Sequence, residues 1–79
     1  MSVRVRLFAS YREAVGAGEL AMPVVGGLTA GQLWDELAAE HPDLPASPAS
    51  LAVNHVVADQ DTELVDDDEV AFLPPVGGG

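Results

Sequence analysis

The chain contains no cysteine and no lysine. Without thiols it has no disulfide, no thiolate nucleophile and none of the Cys-based zinc sites of small folds. Such a chain suits a reducing, cytoplasmic compartment. Without lysine it offers no side-chain amine to accept an isopeptide bond. Cations of any kind are scarce: Arg4, Arg6 and Arg12 stand against thirteen acids, for a net charge of −10. Phosphate binding needs a basic face, so the balance argues against nucleic acid and anionic membrane as direct partners. It favours a basic protein surface instead, because complementary fields speed encounter. No apolar run approaches the length of about 20 residues that spans a bilayer. The opening Met1-Ser2-Val3-Arg4-Val5-Arg6 alternates and is too short to read as a leader.

Nearly half of the 79 residues are apolar, so one small domain can build its core without metal or disulfide staples. Val3, Val5 and Leu7 alternate with Arg4, Arg6 and Phe8, the period of a half-buried strand. Ser10 to Glu13 has capping-box spacing and Gly16 sits where a short helix would end. Leu20, Met22 and Val24 make a second strand, closed by Gly26-Gly27. Thr29 and Gln32 form a T-x-x-Q capping box, with Leu28 and Leu33 at the spacing of a hydrophobic staple. Ala30, Leu33, Trp34, Leu37 and Ala38 then give an apolar stripe at helical spacing, which predicts a helix from Ala30 to Glu40. Trp34 reads as core, and Pro42 stops the helix at about His41. Leu51 to Val53 and Val56-Val57 read as short strands around Asn54-His55, and Glu69 to Leu73 as the last strand. The Asp66 to Glu69 run reads as a solvated turn. The order β, short α, β, α, β, β, β describes one α+β domain over residues 1–73, a main helix on a mixed sheet.

Catalytic constellations are poorly supported. Ser10, Ser47 and Ser50 have no recognisable base partner. His41 and His55 lie too far apart in sequence to imply a metal pair, so no metal site is expected. Asp59-x-Asp61-x-Glu63 begins like a calcium loop, but Leu64 and Val70 stand where its glycine and bidentate glutamate belong. The glycines form neither a G-x-G-x-x-G fingerprint nor a P-loop.

Two features remain. The first is Pro74-Pro75-Val76-Gly77-Gly78-Gly79, a tail over residues 74–79. The prolines lack N–H groups and have fixed φ, so they hold its start extended. Glycine has no Cβ, so the end can thread where only bare backbone fits. Six residues reach at most about 20 Å. Such a tail would deliver a carboxylate deep into another protein. The second feature is a surface. Strand alternation turns Phe8 and Leu73 outward. If Val57 falls on the same face, the three form an exposed apolar patch at the tail's base, with Arg12 as a charged rim contact; such a patch marks an interface.

Leu7-Phe8-Ala9 with Arg12-Glu13, Ala52-Val53-Asn54, and above all Asp68-Glu69-Val70-Ala71-Phe72-Leu73-Pro74-Pro75-Val76 ending in Gly-Gly resemble the small, sulfur-carrying subunit of molybdopterin synthase. The similarity covers the whole chain, and its ending is the most specific part. The resemblance implies a ubiquitin-like β-grasp fold whose first and last strands pair in parallel at the centre. It implies that Gly79 is adenylated by an activating enzyme using ATP and converted by a sulfur donor to a thiocarboxylate, with no cofactor bound by this chain. The tail, with Gly78, Gly77, Val76, Pro75 and Pro74, would then enter the larger catalytic subunit, in a heterotetramer, to supply sulfur for the dithiolene of molybdopterin. On that reading the chain is the non-catalytic, sulfur-donating subunit of a sulfurtransferase complex. One departure is visible: a small hydroxyl residue usually precedes the final Gly-Gly, and Gly77 stands there. Two other readings share the fold and the Gly-Gly end. One is a sulfur carrier of thiamine or another sulfur pathway, and the other is a ubiquitin-like protein modifier.

Overall fold

The computed structural model describes residues 1–75. Among these the chain forms strand β1 (Ser2–Leu7), helix α1 (Ala9–Val15), strand β2 (Glu19–Pro23), helix α2 (Ala30–Glu40), and strands β3 (Ser50–Val53), β4 (Val56–Ala58) and β5 (Glu69–Leu73). They build a single mixed sheet in the order β2-β1-β5-β3-β4. β1 and β5 run parallel, with Val5 opposite Val70 and Leu7 opposite Phe72. The β1–β2, β3–β5 and β3–β4 pairs are antiparallel. This is the β-grasp arrangement, and it puts β5 in the middle of the sheet.

α2 begins at residue 30 because every amide of its first turn has an acceptor, as a helix start demands. Thr29 and Gln32 exchange side-chain-to-backbone hydrogen bonds at 2.9 and 3.2 Å, the capping box expected from the sequence. The amides of Ala30 and Gly31 donate to the carbonyls of Thr62 and Gln60, both at 2.9 Å. Gly31 is required for that approach: a Cβ there would lie 2.9 Å from Gln60 Cβ and 3.1 Å from its carbonyl oxygen. The apolar stripe of α2 buries Ala30, Leu33, Trp34 and Leu37 against one face of the sheet, where Val3, Val5, Leu7, Leu51, Val70 and Phe72 point inward. Trp34 sits between Tyr11 and Phe72, with ring centroids 5.0 and 4.9 Å away, and its indole N–H donates to the Pro45 carbonyl at 3.0 Å. Such a tilted aromatic trio adds about 0.5–1.5 kcal/mol per pair to the area it buries.

Two local expectations are corrected. Ser10 does not cap α1. Phe8 occupies the N-cap in extended conformation with no side-chain cap, and its carbonyl accepts from the amides of Tyr11 and Arg12. The pairing of Leu7 with Phe72 carries β1 to the edge of the helix, so the turn comes earlier than local spacing predicts. Gly16 does end α1, in the left-handed conformation at φ 87°.

The acidic run at Asp66 to Glu69 is also more than a solvated turn. Asp68 is buried at 8% exposure. Its Oδ2 accepts from the Val65 amide and its Oδ1 from Asn54 Nδ2, both at 2.8 Å. Asn54 in turn accepts from the Glu69 amide through Oδ1 at 3.0 Å and donates its own amide to the Glu69 carbonyl at 2.8 Å. Asn54 and His55 both have positive φ, 51° and 70°, as a tight β3–β4 hairpin requires. The clasp therefore ties that hairpin to the first residue of the central strand.

Candidate functional site

The sheet face opposite α2 has nothing packed on it among the described residues, and β5 leads from its centre to Pro74. Paired residues on adjacent strands point the same way, so the register defines this face. One row crosses it from edge to edge: Glu19 on β2, Arg6 on β1, Ala71 on β5, Ala52 on β3 and Val57 on β4. A second row, nearer the start of β5, holds Ala21, Arg4 and Glu69. Past the first row stand Phe8 and Leu73, each two residues beyond a member of it.

Phe8, Leu73 and Val57 thus share one face, with the short apolar side chains of Ala71 and Ala52 lying between Leu73 and Val57. Phe8 follows β1 and Leu73 ends the neighbouring strand β5, with Phe8 37% exposed and Leu73 half-buried. Val57, 83% exposed, lies three strand spacings from Arg6, about 14 Å. Ala52 and Ala71 fill the interval with a floor of short side chains. The alanine floor is bounded by Val57 on the edge strand β4, by Arg6 across the row on β1, and by Phe8 and Leu73 in the next row along the strands. Arg12 is exposed on α1, and a Cβ on Gly18 would lie 3.4 Å from its Cδ and Nε. Pro74 and Pro75 follow β5 directly, while Val76, Gly77, Gly78 and Gly79 lie outside the described residues.

Charge on this face is organised around Glu69, whose side chain is only 15% exposed. Arg4 Nη2 approaches it at 3.6 Å, Arg6 Nη1 at 4.0 Å and His55 Nε2 at 3.3 Å. Arg6 also lies over the Phe8 ring, 5.7 Å from its centroid, and its Nε is shielded from solvent with no acceptor among the described residues. This cluster escaped the sequence reading because it depends on the β1–β5 register and on the hairpin that presents His55. The alternation of Arg4 and Arg6 was its only local signal. Among the described residues, no group of three or more His, Asp or Glu is placed to hold a metal ion, and no helix is long and apolar enough to cross a membrane.

Residues 5–79 match the model of the ThiS family. The chain belongs to the ThiS family. This ThiS-family chain is 37% identical over 82 residues to the molybdopterin synthase sulfur carrier subunit of Mycobacterium tuberculosis, covering 100% of this chain and 99% of that protein. In structure it is similar to SAMP1, the small archaeal modifier protein 1 of Haloferax volcanii, with a TM-score of 0.85, 28% identity and complete coverage of both chains. It is also similar to a chain of the complex of subunits 1 and 2 of the molybdopterin-converting factor from Helicobacter pylori, with a TM-score of 0.68, 26% identity and complete coverage of both chains.

Proposed function

We propose that this ThiS-family protein is the sulfur carrier subunit of a molybdopterin synthase. The observation that carries the reading is the end-to-end similarity to a molybdopterin synthase sulfur carrier subunit, at 37% identity, on a fold whose central strand runs directly into Pro74-Pro75, with Val76-Gly77-Gly78-Gly79 next in sequence. The chemistry follows from the end group. A carboxylate resists attack by sulfide because its only leaving group is oxide. Transfer of AMP from ATP to the Gly79 carboxylate, on an activating enzyme, releases pyrophosphate and creates an acyl-adenylate with a good leaving group. A sulfur donor then displaces AMP and leaves a thiocarboxylate. Sulfur is thereby held covalently on a chain without a cysteine, and the side-chain-free glycines carry it into the larger, catalytic subunit. The apolar face of Phe8, Leu73, Ala52, Ala71 and Val57 is the surface that docks there, with Arg12 at its rim.

The test is the intact mass of the full chain after incubation with ATP, a sulfur donor and a candidate activating enzyme. The expected product is heavier by the difference between one sulfur and one oxygen, and it forms molybdopterin when mixed with the catalytic subunit. A chain that gains no sulfur under conditions that charge a known carrier refutes the proposal. The likeness to a small archaeal modifier protein supports a second reading, conjugation of the C-terminus to lysines of other proteins. Its mark is a ladder of higher-mass adducts that survives reducing agents.

A further inference from the structure

The net charge of −10 argues for a basic partner. The docking face argues differently at its centre. The only Arg residues fall within the first twelve positions, and β1 turns two of them, Arg4 and Arg6, onto this face. Arg4 is committed at the lower row to Glu69. Arg6 is not. It stands in the middle row beside the alanine floor, and Glu69 reaches it only through Nη1, at the 4.0 Å limit of an ion pair. Its register partner Glu19, on β2, forms no ion pair with it among the described residues. No acceptor meets its Nε among these residues, although that atom is out of water. An unsatisfied buried N–H is unfavourable, so the rotamer seen over Phe8 is poorly held by hydrogen bonds. Swinging the guanidinium off the ring gives up one weak cation–π contact and the 4.0 Å approach to Glu69, and turns the Nε–Nη2 edge outward. That edge is a two-donor fork matched to a carboxylate.

We propose that Arg6 is the charge anchor of the docking face and takes a side-chain carboxylate of the catalytic subunit, seated over the Ala52–Ala71 floor beside the Phe8–Leu73 row. The partner's contact surface is therefore acidic at this point, even though the carrier as a whole is strongly acidic. This rests on the sulfur-carrier reading and adds to it the chemistry of the partner's surface. A carboxylate is favoured over a backbone carbonyl because it accepts from both nitrogens of the fork and neutralises the charge that docking removes from water.

The experiment measures binding of the full chain to its cognate catalytic subunit by calorimetry at low and high salt, together with molybdopterin formation from the thiocarboxylated chain. Arg6→Gln is expected to weaken binding by about tenfold to a hundredfold, the scale of a lost charged hydrogen bond. It should also flatten the salt dependence, and raise KM for the carrier while leaving kcat at saturation unchanged. Arg6→Lys keeps the charge but has no fork, and is expected to bind within about threefold of Arg6→Gln. Wild-type affinity in Arg6→Gln overturns the inference while leaving the sulfur-carrier reading intact. Wild-type affinity in Arg6→Lys overturns the carboxylate fork. Arg6-dependent self-association of the isolated chain would make a second copy the occupant and also overturns it. Failure of the wild type to bind the catalytic subunit removes the sulfur-carrier reading, and the inference falls with it.

Discussion

Replacing Asp68 with Ala tests the clasp that fixes the start of the central strand. The substitution removes the acceptor of two hydrogen bonds, both 2.8 Å long, and strands the Val65 amide and Asn54 Nδ2. A hydrogen bond to a charged group contributes about 1.5–3 kcal/mol. The site lies at the domain margin with Asn54 itself exposed, so the lower value applies to each and the pair contributes about 3 kcal/mol. Global stability for a domain of 79 residues is about 4–12 kcal/mol at typical values per residue, so this is a large share. At about 4–8 °C per kcal/mol for a domain of this size, Tm should fall by about 12–24 °C. Asp66→Ala is the control. It also removes one negative charge, so relief of general repulsion cancels, but it breaks only the exposed 2.9 Å bond from the Ser2 amide. Its expected loss is about 0.5–1 kcal/mol, or roughly 2–8 °C. Calorimetric melting of both variants decides the matter. If the two melt within about 2 °C of each other, burial of Asp68 contributes nothing special and the clasp has been overvalued.

Gly31→Ala should destabilise the fold by about 1–3 kcal/mol in chemical denaturation, because the overlap with Gln60 outweighs the gain of up to about 1 kcal/mol that alanine brings to a helix. A Gly31→Ala protein more stable than wild type would show that the 59–63 loop yields freely. Leu73→Asp should leave the circular dichroism spectrum and melting nearly unchanged, since Leu73 is on the open face, and weaken binding to the catalytic subunit more than about a hundredfold. Undiminished binding would mean that the docking face is elsewhere. Deleting Gly79 leaves a Gly77-Gly78 end that falls about 3.5 Å short of the reacting position. Folding and partner binding should be retained while sulfur transfer, followed as molybdopterin formed per carrier, drops by at least about a hundredfold. A wild-type rate would show that tail length does not position the reacting group.

The parts legible in the sequence were those decided by neighbours in the chain. The capping box at Thr29 and Gln32, the α2 stripe and the alternation of β1 and β5 each depend on residues within a turn or a pleat of one another. The α2 boundaries follow from the box and from Pro42. Where long-range contacts decide, local spacing misled. Ser10 has the spacing of a cap, yet the β1–β5 ladder fixes Leu7 and makes Phe8 the N-cap. Asp68 looked like one more solvated acid because its partner Asn54 is fourteen residues away. On the open face, pleat parity turns Phe8 and Leu73 outward, but only the register of β3 with β4 and β5 puts Val57 on the same side. Only the strand order inserts the short apolar side chains of Ala52 and Ala71 between Leu73 and Val57. The gathering of Arg4, Arg6 and His55 on Glu69 likewise joins residues from three separate strands or turns.

The position of β5 has a mechanical consequence. A strand at a sheet edge can be peeled away one hydrogen bond at a time, but β5 is laddered to β1 on one side and β3 on the other. A tug on Pro74 acts along the strand axis, so both ladders bear the load in shear and must give together. Val70 and Phe72 would also have to leave the core against Trp34 and the α2 stripe. Resistance to such forced opening is governed by the unfolding barrier rather than by equilibrium stability. The tail is therefore joined to a strand that is held on both sides. On the sulfur-carrier proposal, an enzyme that handles the tail would pull on this doubly laddered strand rather than on a free edge.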